Sequence, residues 1–405
     1  MYKLIIVGGG FGGLVLANRL LDKGFKDFLL LERNDRLGKK ILVTGNGRCN
    51  LTNVDVSVSR YHGDNAAFCA SALERFGSSE LITFFAELGL VVTEEGGRFY
   101  PLSRSAASVL DCLRLRIDGA PLPDGKKLCE CESKVVDIRY ENGRYMLTAE
   151  NGKKYQAENV VLAFGGKSGA NLGTDGSGFL LAEKLGYTVT KLTPSLVQLK
   201  TSDFSKSLSG VKHKACVTLY DGDRFIATED GDFLFVDGGV SGNAVFELSS
   251  RLSLTSRPQI KIDFIPNMTR EELSSALMKK VKHFGFLPAE KLLVGYVHSA
   301  LSAWIASRCG VKGIQISELT ASQLSDVIAC VKNCRAKIDG AFDFKASQVT
   351  HGGVSTKEVD EVTFSGKKSK GLYIVGEALD VDGDCGGFNL QWAFSSAMAA
   401  AENFI

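Results

Sequence analysis

The 405-residue sequence predicts an α/β fold, a parallel sheet assembled from both ends of the chain with β-rich and helical insertions between them. Three observations carry this reading. An unbroken apolar run at residues 4–7 leads through a glycine-rich turn into an amphipathic segment. A second apolar run at 28–31 closes on an acid, Glu32. A third, at 372–375, lies far along the chain and precedes another glycine-rich turn and a final apolar helix.

The first element reads as a strand buried on both faces, because nothing polar interrupts it. Gly8, Gly10 and Gly13 follow on G-x-G-x-x-G spacing, with Phe11 and Gly12 in the same turn. This pattern lets the backbone turn tightly and brings the amides of a helix N-terminus up to a pyrophosphate. Ala17, one turn on, is small enough for close packing of that helix on the strand. Glu32 stands twenty-four positions after Gly8, close to the ~20 expected of a carboxylate that binds a ribose hydroxyl. The unit is therefore a Rossmann-like dinucleotide-binding fold, with FAD and NAD both open at this point.

Composition bounds the rest. A hydrophobic fraction of 44% and a charged fraction of 23% are ordinary for a globular enzyme. A net charge of +2 gives no reason to expect a nucleic acid or a membrane surface as partner. No apolar run approaches the ~20 residues of a membrane span, and the N-terminus enters its first strand at once, which leaves no room for a signal peptide. The protein is expected in the cytoplasm. Ten cysteines at irregular positions read as free thiols; Cys129 with Cys131, and Cys330 with Cys334, lack the second pair that a metal site needs. No C-x4-C follows the first unit, which disfavours thiol–disulfide chemistry at a flavin, and no metal is expected.

Residues 33–53 have neither helix nor strand period but are dense in glycine, amide and basic side chains. Such a loop wraps a ligand: Lys39, Lys40 and Arg48 can meet phosphate charge, Asn46, Asn50 and Asn53 can bond flavin or ribityl oxygens, and Arg33 is placed among the cofactor contacts. The run Gly38-Lys39-Lys40, then Gly45-x-Gly47-Arg48-Cys49-Asn50-Leu51-Thr52-Asn53, resembles the signature of the bacterial flavoprotein family named after YhiN and BaiN. Members carry the labels NAD(P)/FAD-dependent oxidoreductase and aminoacetone oxidase. The resemblance adds Gly45, Gly47 and Cys49 to the cofactor-binding positions.

Residues 66–90 have helical spacing through Phe68, Leu73, Phe76, Leu81, Phe84, Phe85 and Leu88. The stretch 97–106 resembles a family loop, with Tyr100 where phenylalanine is usual; its hydroxyl either touches substrate or reaches water. Two alternating strands, 133–139 and 144–150, form a hairpin, and Val136 in the first is placed among the cofactor contacts. Residues 159–164 are a further buried strand, ending at Gly165 and Gly166, that returns the chain to the first sheet. A glycine-rich crossing, 167–178, leads to a helix stopped by Gly186.

From residue 194 to about 267 short turn-separated strands argue for an inserted β-barrel or sandwich. Within it, residues 234–245 resemble a family loop in which Asp237 replaces the usual histidine and Asn243 the usual proline. Residues 268–340 return to helical spacing after a Thr269-Arg270-Glu271-Glu272 capping box and read as a small helical lobe, a lid over the flavin. His283 and His298 within it read as structural or solvated. The domains are then 1–193 with 341–405, 194–267, and 268–340.

The C-terminal block decides the cofactor. A buried strand ending in Gly376-Glu377, beside a glycine-rich turn that opens a helix, suits a flavin: the acid bonds a ribityl hydroxyl and helix amides face the pyrimidine edge. The family resemblance is continuous here, and it assigns Gly376 and Glu377 to the ribityl and phosphate region and Gly386, Gly387, Phe388 and Asn389 to the pyrimidine edge, with Asp384 also placed among the cofactor contacts. His351 is the titratable side chain to test as a proton donor.

The reading is a glutathione-reductase-like FAD-binding domain that moves a hydride or two electrons to or from a small organic substrate. No second strand–GxGxxG–helix unit is visible, so NAD(P)H, if used, visits and leaves. Reduction of an activated C=C or C=N bond and oxidation of an amine are both compatible, and the label of some family members points to a steroid or bile-acid enone reductase. The alternative is a flavin module that acts on RNA, a redox sensor or an assembly partner. The small net charge and the lack of a basic stripe count against RNA.

Overall fold

The computed structural model describes residues 1–120, 127–252 and 255–404. The chain divides into two compact units, 1–194 with 347–405, and 195–346.

In the first unit β1 (Tyr2–Val7) lies at the centre of a seven-stranded sheet, with Leu4, Ile5 and Ile6 fully buried. It pairs in parallel with β2 (Phe28–Leu31) on one side and with Lys154–Leu162 on the other, Val7 standing opposite both Leu31 and Leu162. Lys154–Leu162 changes character along its length. Its first half alternates in exposure and pairs antiparallel with Arg144–Ala149, while its fully buried end pairs in parallel with Leu372–Ile374. One strand thus serves as hairpin arm and as central strand, and its burial follows the neighbours it has. The C-terminal strand returns to the first sheet as its sequence predicts.

Helix α1 (Phe11–Asp22) starts directly behind β1, and a Cβ on Gly13 would collide with the carbonyl oxygen of Gly8. The close approach of helix and strand rests on that missing carbon. The final helix, Phe388–Ala401, is buried on nearly every side. Its polar groups are therefore satisfied internally: Gln391 Nε2 and Ser395 Oγ donate to the Phe76 carbonyl (2.9 and 2.6 Å), and Trp392 Nε1 donates to the Gly376 carbonyl (3.0 Å).

In the second unit seven antiparallel strands run in the order Cys334–Lys337, Pro258–Asp263, Lys212–Asp221, Arg224–Val236, Gly239–Ser241, Leu199–Lys200 and Gly340–Ala341. The two edge strands are joined by residues 338–339 alone, a reach of about 10 Å, so the sheet curls until its edges approach each other. Helices Arg270–Phe284, Ser299–Arg308 and Ala321–Lys332 bury Leu273, Leu277, Leu301, Ile305, Val327 and Val331 in the same core as the strands. The capping box at Thr269 is formed, with Thr269 Oγ1 accepting from the Glu272 amide and Glu272 Oε2 accepting from the Thr269 amide. Asp237 is exposed and pairs with Lys206 at 3.2 Å, and Asn243 Oδ1 accepts from the Asp232 amide at 2.6 Å.

Replacing Gly13 by alanine forces helix and strand apart, and the expected cost is about 1–3 kcal/mol of stability. Urea unfolding of the purified variant measures it, and an unchanged midpoint would show that the close approach is not needed.

Candidate functional site

The glycines after β1 are not equivalent. A Cβ on Gly8, which lies at φ +114°, would strike the Ala163 carbonyl, and one on Gly9 would lie 2.5 Å from Leu37. At Gly10, the N-cap of α1, nothing lies within 4 Å of where a Cβ would stand. That open face beside the unpaired first-turn amides of α1 is the cradle an anion needs. Gly12 faces the Ala393 carbonyl of the final helix, 3.5 Å from an added Cβ. Phe11, in contrast, is a core residue, its ring 6.0 Å from that of Phe85.

Glu32 is 6% exposed, with Oε2 accepting from the Gly9 amide and Oε1 from the amide and side chain of Asn34, all at 2.8 Å. The carboxylate is thereby fixed at the end of β2, next to the glycine turn. Arg33 turns to the crossing 169–178, bonding Asp175 (2.5 Å), the Gly173 carbonyl and Ser177 (both 3.3 Å). Burial pushes the Asp175 carboxyl up, but bonds from Arg33 and Ser177 outweigh it and hold the group well below the usual carboxylate range. Val136 sits at a bulge between Val135 and Asp137, outside the ladder, and is 39% exposed.

The loop 38–53 and the C-terminal turn, more than three hundred residues apart in sequence, are brought together. Lys40 Nζ meets Glu377 Oε2 at 2.8 Å, and Glu377 Oε1 accepts from the Thr350 amide at 2.9 Å. Asn53 Nδ2 donates to the Gly386 carbonyl at 3.0 Å, and Thr52 Oγ1 to Gln391 at 2.5 Å. Gly387 packs on the backbone of Thr52. Asn389 shapes the turn from inside, bonding the Gly383 amide and carbonyl at 2.8 and 2.7 Å, while Phe388 is buried with its carbonyl accepting from the Tyr61 hydroxyl. Gly165 and Gly166 lie beneath Glu377; a Cβ on Gly166 would stand 2.5 Å from its carboxylate. Gly376 donates to Ser396 Oγ at 2.9 Å.

Within the loop Gly45, Asn46, Gly47 and Cys49 all have positive φ, so the chain coils tightly there. Burial pushes the Cys49 thiol up to about 12. Lys39 pairs with Asp35 at 2.6 Å. Arg48 lies 4.9 Å and Arg104 5.3 Å from the centre of the buried Tyr100 ring, which serves as their common platform. Asn50 is buried, and its Oδ1 has no hydrogen-bond partner. An orphaned acceptor in this loop, together with the open face at Gly10, fits a dinucleotide that supplies both a hydrogen-bond donor and an anionic bridge.

Beside the turn lies a constellation that sequence reasoning assigned only in part. His351 Nδ1 and Asp382 Oδ1 are 2.7 Å apart, and His62 Nε2 and Asp384 Oδ1 are 2.6 Å apart. Asp384 therefore holds a histidine. Asp382 is fully buried, with its Oδ2 unpartnered. The hydrogen bond to Asp382 raises His351 above the usual histidine value; burial opposes this, and the charges of Asp382, Asp380 and Asp64 support it. Burial pushes Asp380 up. Asp380, Asp382 and Asp384 alternate in the sequence, and that period of two is the signal that places three carboxylates on one side of an extended segment. Nothing in the sequence points to His62, whose role depends on contacts more than three hundred residues away.

A family model described as the HI0933-like protein Rossmann domain matches residues 2–403. The 3-dehydro-bile acid delta(4,6)-reductase of Clostridium scindens is 34% identical over 99% of this chain and 98% of its own length. The ribosomal RNA dihydrouridine synthases of Haemophilus influenzae and Escherichia coli are 30% and 28% identical, over 98% and 100% of this chain and 97% and 98% of theirs.

Replacing Gly10 by alanine is expected to leave stability within about 1 kcal/mol, because the methyl group meets no protein atom. It projects into the cradle and should weaken FAD binding by about tenfold or more. Calorimetric titration of the flavin-stripped variant with FAD checks this, and wild-type affinity would place the cradle elsewhere.

Proposed function

This chain belongs to the HI0933-like family, and from that premise we propose that it is an FAD-dependent reductase that saturates a carbon–carbon double bond conjugated to a carbonyl in a small organic substrate. The relatives with the two different names share one bond change. A delta(4,6)-unsaturated 3-oxo steroid and a uracil ring each carry a C=C next to a carbonyl, and each is reduced by adding a hydride at the β carbon and a proton at the α carbon. Bound FAD supplies the two electrons of this reaction as a hydride.

The single observation that carries the reading is the His351–Asp382 pair. Asp382 fixes the ring through Nδ1 and leaves Nε2 without a protein partner among the described residues. A protonated His351 therefore presents one N–H outward and is a suitable donor to the α carbon. Glu32, the Gly10 cradle, Glu377 and the turn 383–389 are the groups proposed to hold the cofactor. A dihydronicotinamide is the proposed visiting reductant.

A second reading, uridine within a structured RNA as substrate, is favoured by one surface. Between residues 279 and 291, Lys279, Lys282 and Lys291 are exposed, as are Phe284 and Phe286, the combination of phosphate-binding charge and stacking rings that RNA uses. Reoxidation of the anaerobically reduced protein by cyclic enones supports the first reading. Reoxidation by ribosomal RNA alone supports the second, and reoxidation by neither removes both.

His351→Asn is expected to lower the rate of substrate reduction about 10²–10⁴-fold with flavin content unchanged. Because the folded-state value of His351 is raised, its acid form persists to higher pH than that of a free histidine and is lost as pH rises through the raised value. The rate should fall on the alkaline side, and Asp382→Asn, which removes the largest cause of the rise, should move that fall to lower pH. A pH–rate profile that is the same in both proteins would remove His351 from the reaction.

A further inference from the structure

A second histidine–carboxylate pair stands next to the first. The two-residue strand Tyr61–His62 pairs antiparallel with Asp382–Gly383, and His62 is directly opposite Asp382. Residues opposite each other in such a ladder project on the same side, and so do alternate residues of one extended strand. His62, Asp382 and Asp384 thus share a face, and His351 reaches that face through Asp382. The carboxylates are buried, with side-chain exposures of 5% for Asp384 and 0% for Asp382, while the imidazoles they hold are 22% and 27% exposed for His62 and His351. Each imidazole has one ring nitrogen bonded to its aspartate and the other without a protein partner among the described residues. Arg60 Nη1, 3.5 Å from Asp384 Oδ2, completes the setting of the second pair.

Two rigid pairs of the same build on one ribbon face are more than one proton donor requires. Reduction of a conjugated carbonyl has two proton-sensitive places, the α carbon and the carbonyl oxygen, where negative charge collects when hydride adds at the β carbon. We propose that His62, held by Asp384, is a further catalytic residue that hydrogen-bonds the substrate's carbonyl oxygen while His351 protonates the α carbon. This rests on the conjugated-carbonyl reading above.

The step balances. Bound FAD in its reduced form would supply the hydride that forms the C–H bond at the β carbon. The C=C electron pair moves toward the carbonyl, and His62, donating one ring N–H to Asp384 and the other to the oxygen, stabilises the enolate. The enolate collapses, the α carbon takes the proton from His351, and solvent returns that proton. The substrate gains two electrons, which bound reduced FAD would supply and a dihydronicotinamide would replace.

The test separates oxygen binding from turnover. 4-Hydroxybenzaldehyde, whose phenolate is a planar enolate mimic, is titrated into the oxidised holoprotein and followed by the long-wavelength absorbance that a phenolate stacked on flavin produces. His62→Gln should weaken its binding at least tenfold, the worth of a hydrogen bond to a charged group, whereas His351→Asn should change it less than threefold. A loss smaller than tenfold in His62→Gln overturns the proposal and leaves the conjugated-carbonyl reading intact. Failure of the wild-type protein both to bind the phenol and to reduce any enone overturns that reading and this proposal together. Should His62→Gln not retain flavin, histidine-selective NMR of the wild-type holoprotein decides, with the resonances assigned from variants at the other four histidines. A His62 signal that moves when the phenol binds supports the proposal, and one that stays overturns it.

Discussion

Everything in the first unit depends on the parallel pairing of Lys154–Leu162 with β1 on one side and Leu372–Ile374 on the other. Parallel neighbours cannot be joined by a tight turn, so the chain must leave the sheet and come back, and what it does in between is free to vary. Here the return brings Glu377 to Lys40 and Gly386 to Asn53. The glycine turn after β1 and the helix Phe388–Ala401 are positioned by the same sheet, which is why Gly12 can lie against Ala393.

Where the two ends of the chain meet, the interior of that unit is polar. The final helix carries Gln391, Ser395 and Ser396 into the core, and each finds a backbone or side-chain partner. Buried hydrogen bonds of this kind contribute little net stability but are costly to leave unmade, so they select one seating of the helix over its neighbours. The seating in turn fixes the turn 383–389, since Tyr61 and Asn389 bond to backbone at its edge. The ladder that sets His62 opposite Asp382 belongs to the same arrangement.

The parts legible in the sequence are those whose physics is local. The spacing of Gly8, Gly10 and Gly13, the acid ending β2 and the unbroken apolar strands report backbone torsion and burial, and the fold follows from them. The same reasoning does not see a partner far along the chain. Lys40 and Arg33 look like free phosphate ligands in the sequence, yet one meets Glu377 and the other Asp175. Phe11 lies within the glycine motif, yet its ring packs in the core, and Asn389 is occupied by the turn it sits in. In the sequence the Tyr100 hydroxyl is the distinctive group, while in the structure its ring carries the two arginines. His62 is a lone histidine until the strand pairing supplies Asp384.

Cys49 gives the signature loop a chemical property of its own. Reduced flavins transfer electrons to dioxygen and release hydrogen peroxide, and the thiolate, not the thiol, is the form that peroxide attacks. With its thiol buried and pushed up to about 12, Cys49 is almost wholly protonated at neutral pH. Cys69, buried in the same unit, is pushed to the same range. Two sulfurs buried in this unit are thus held in the form that peroxide attacks least.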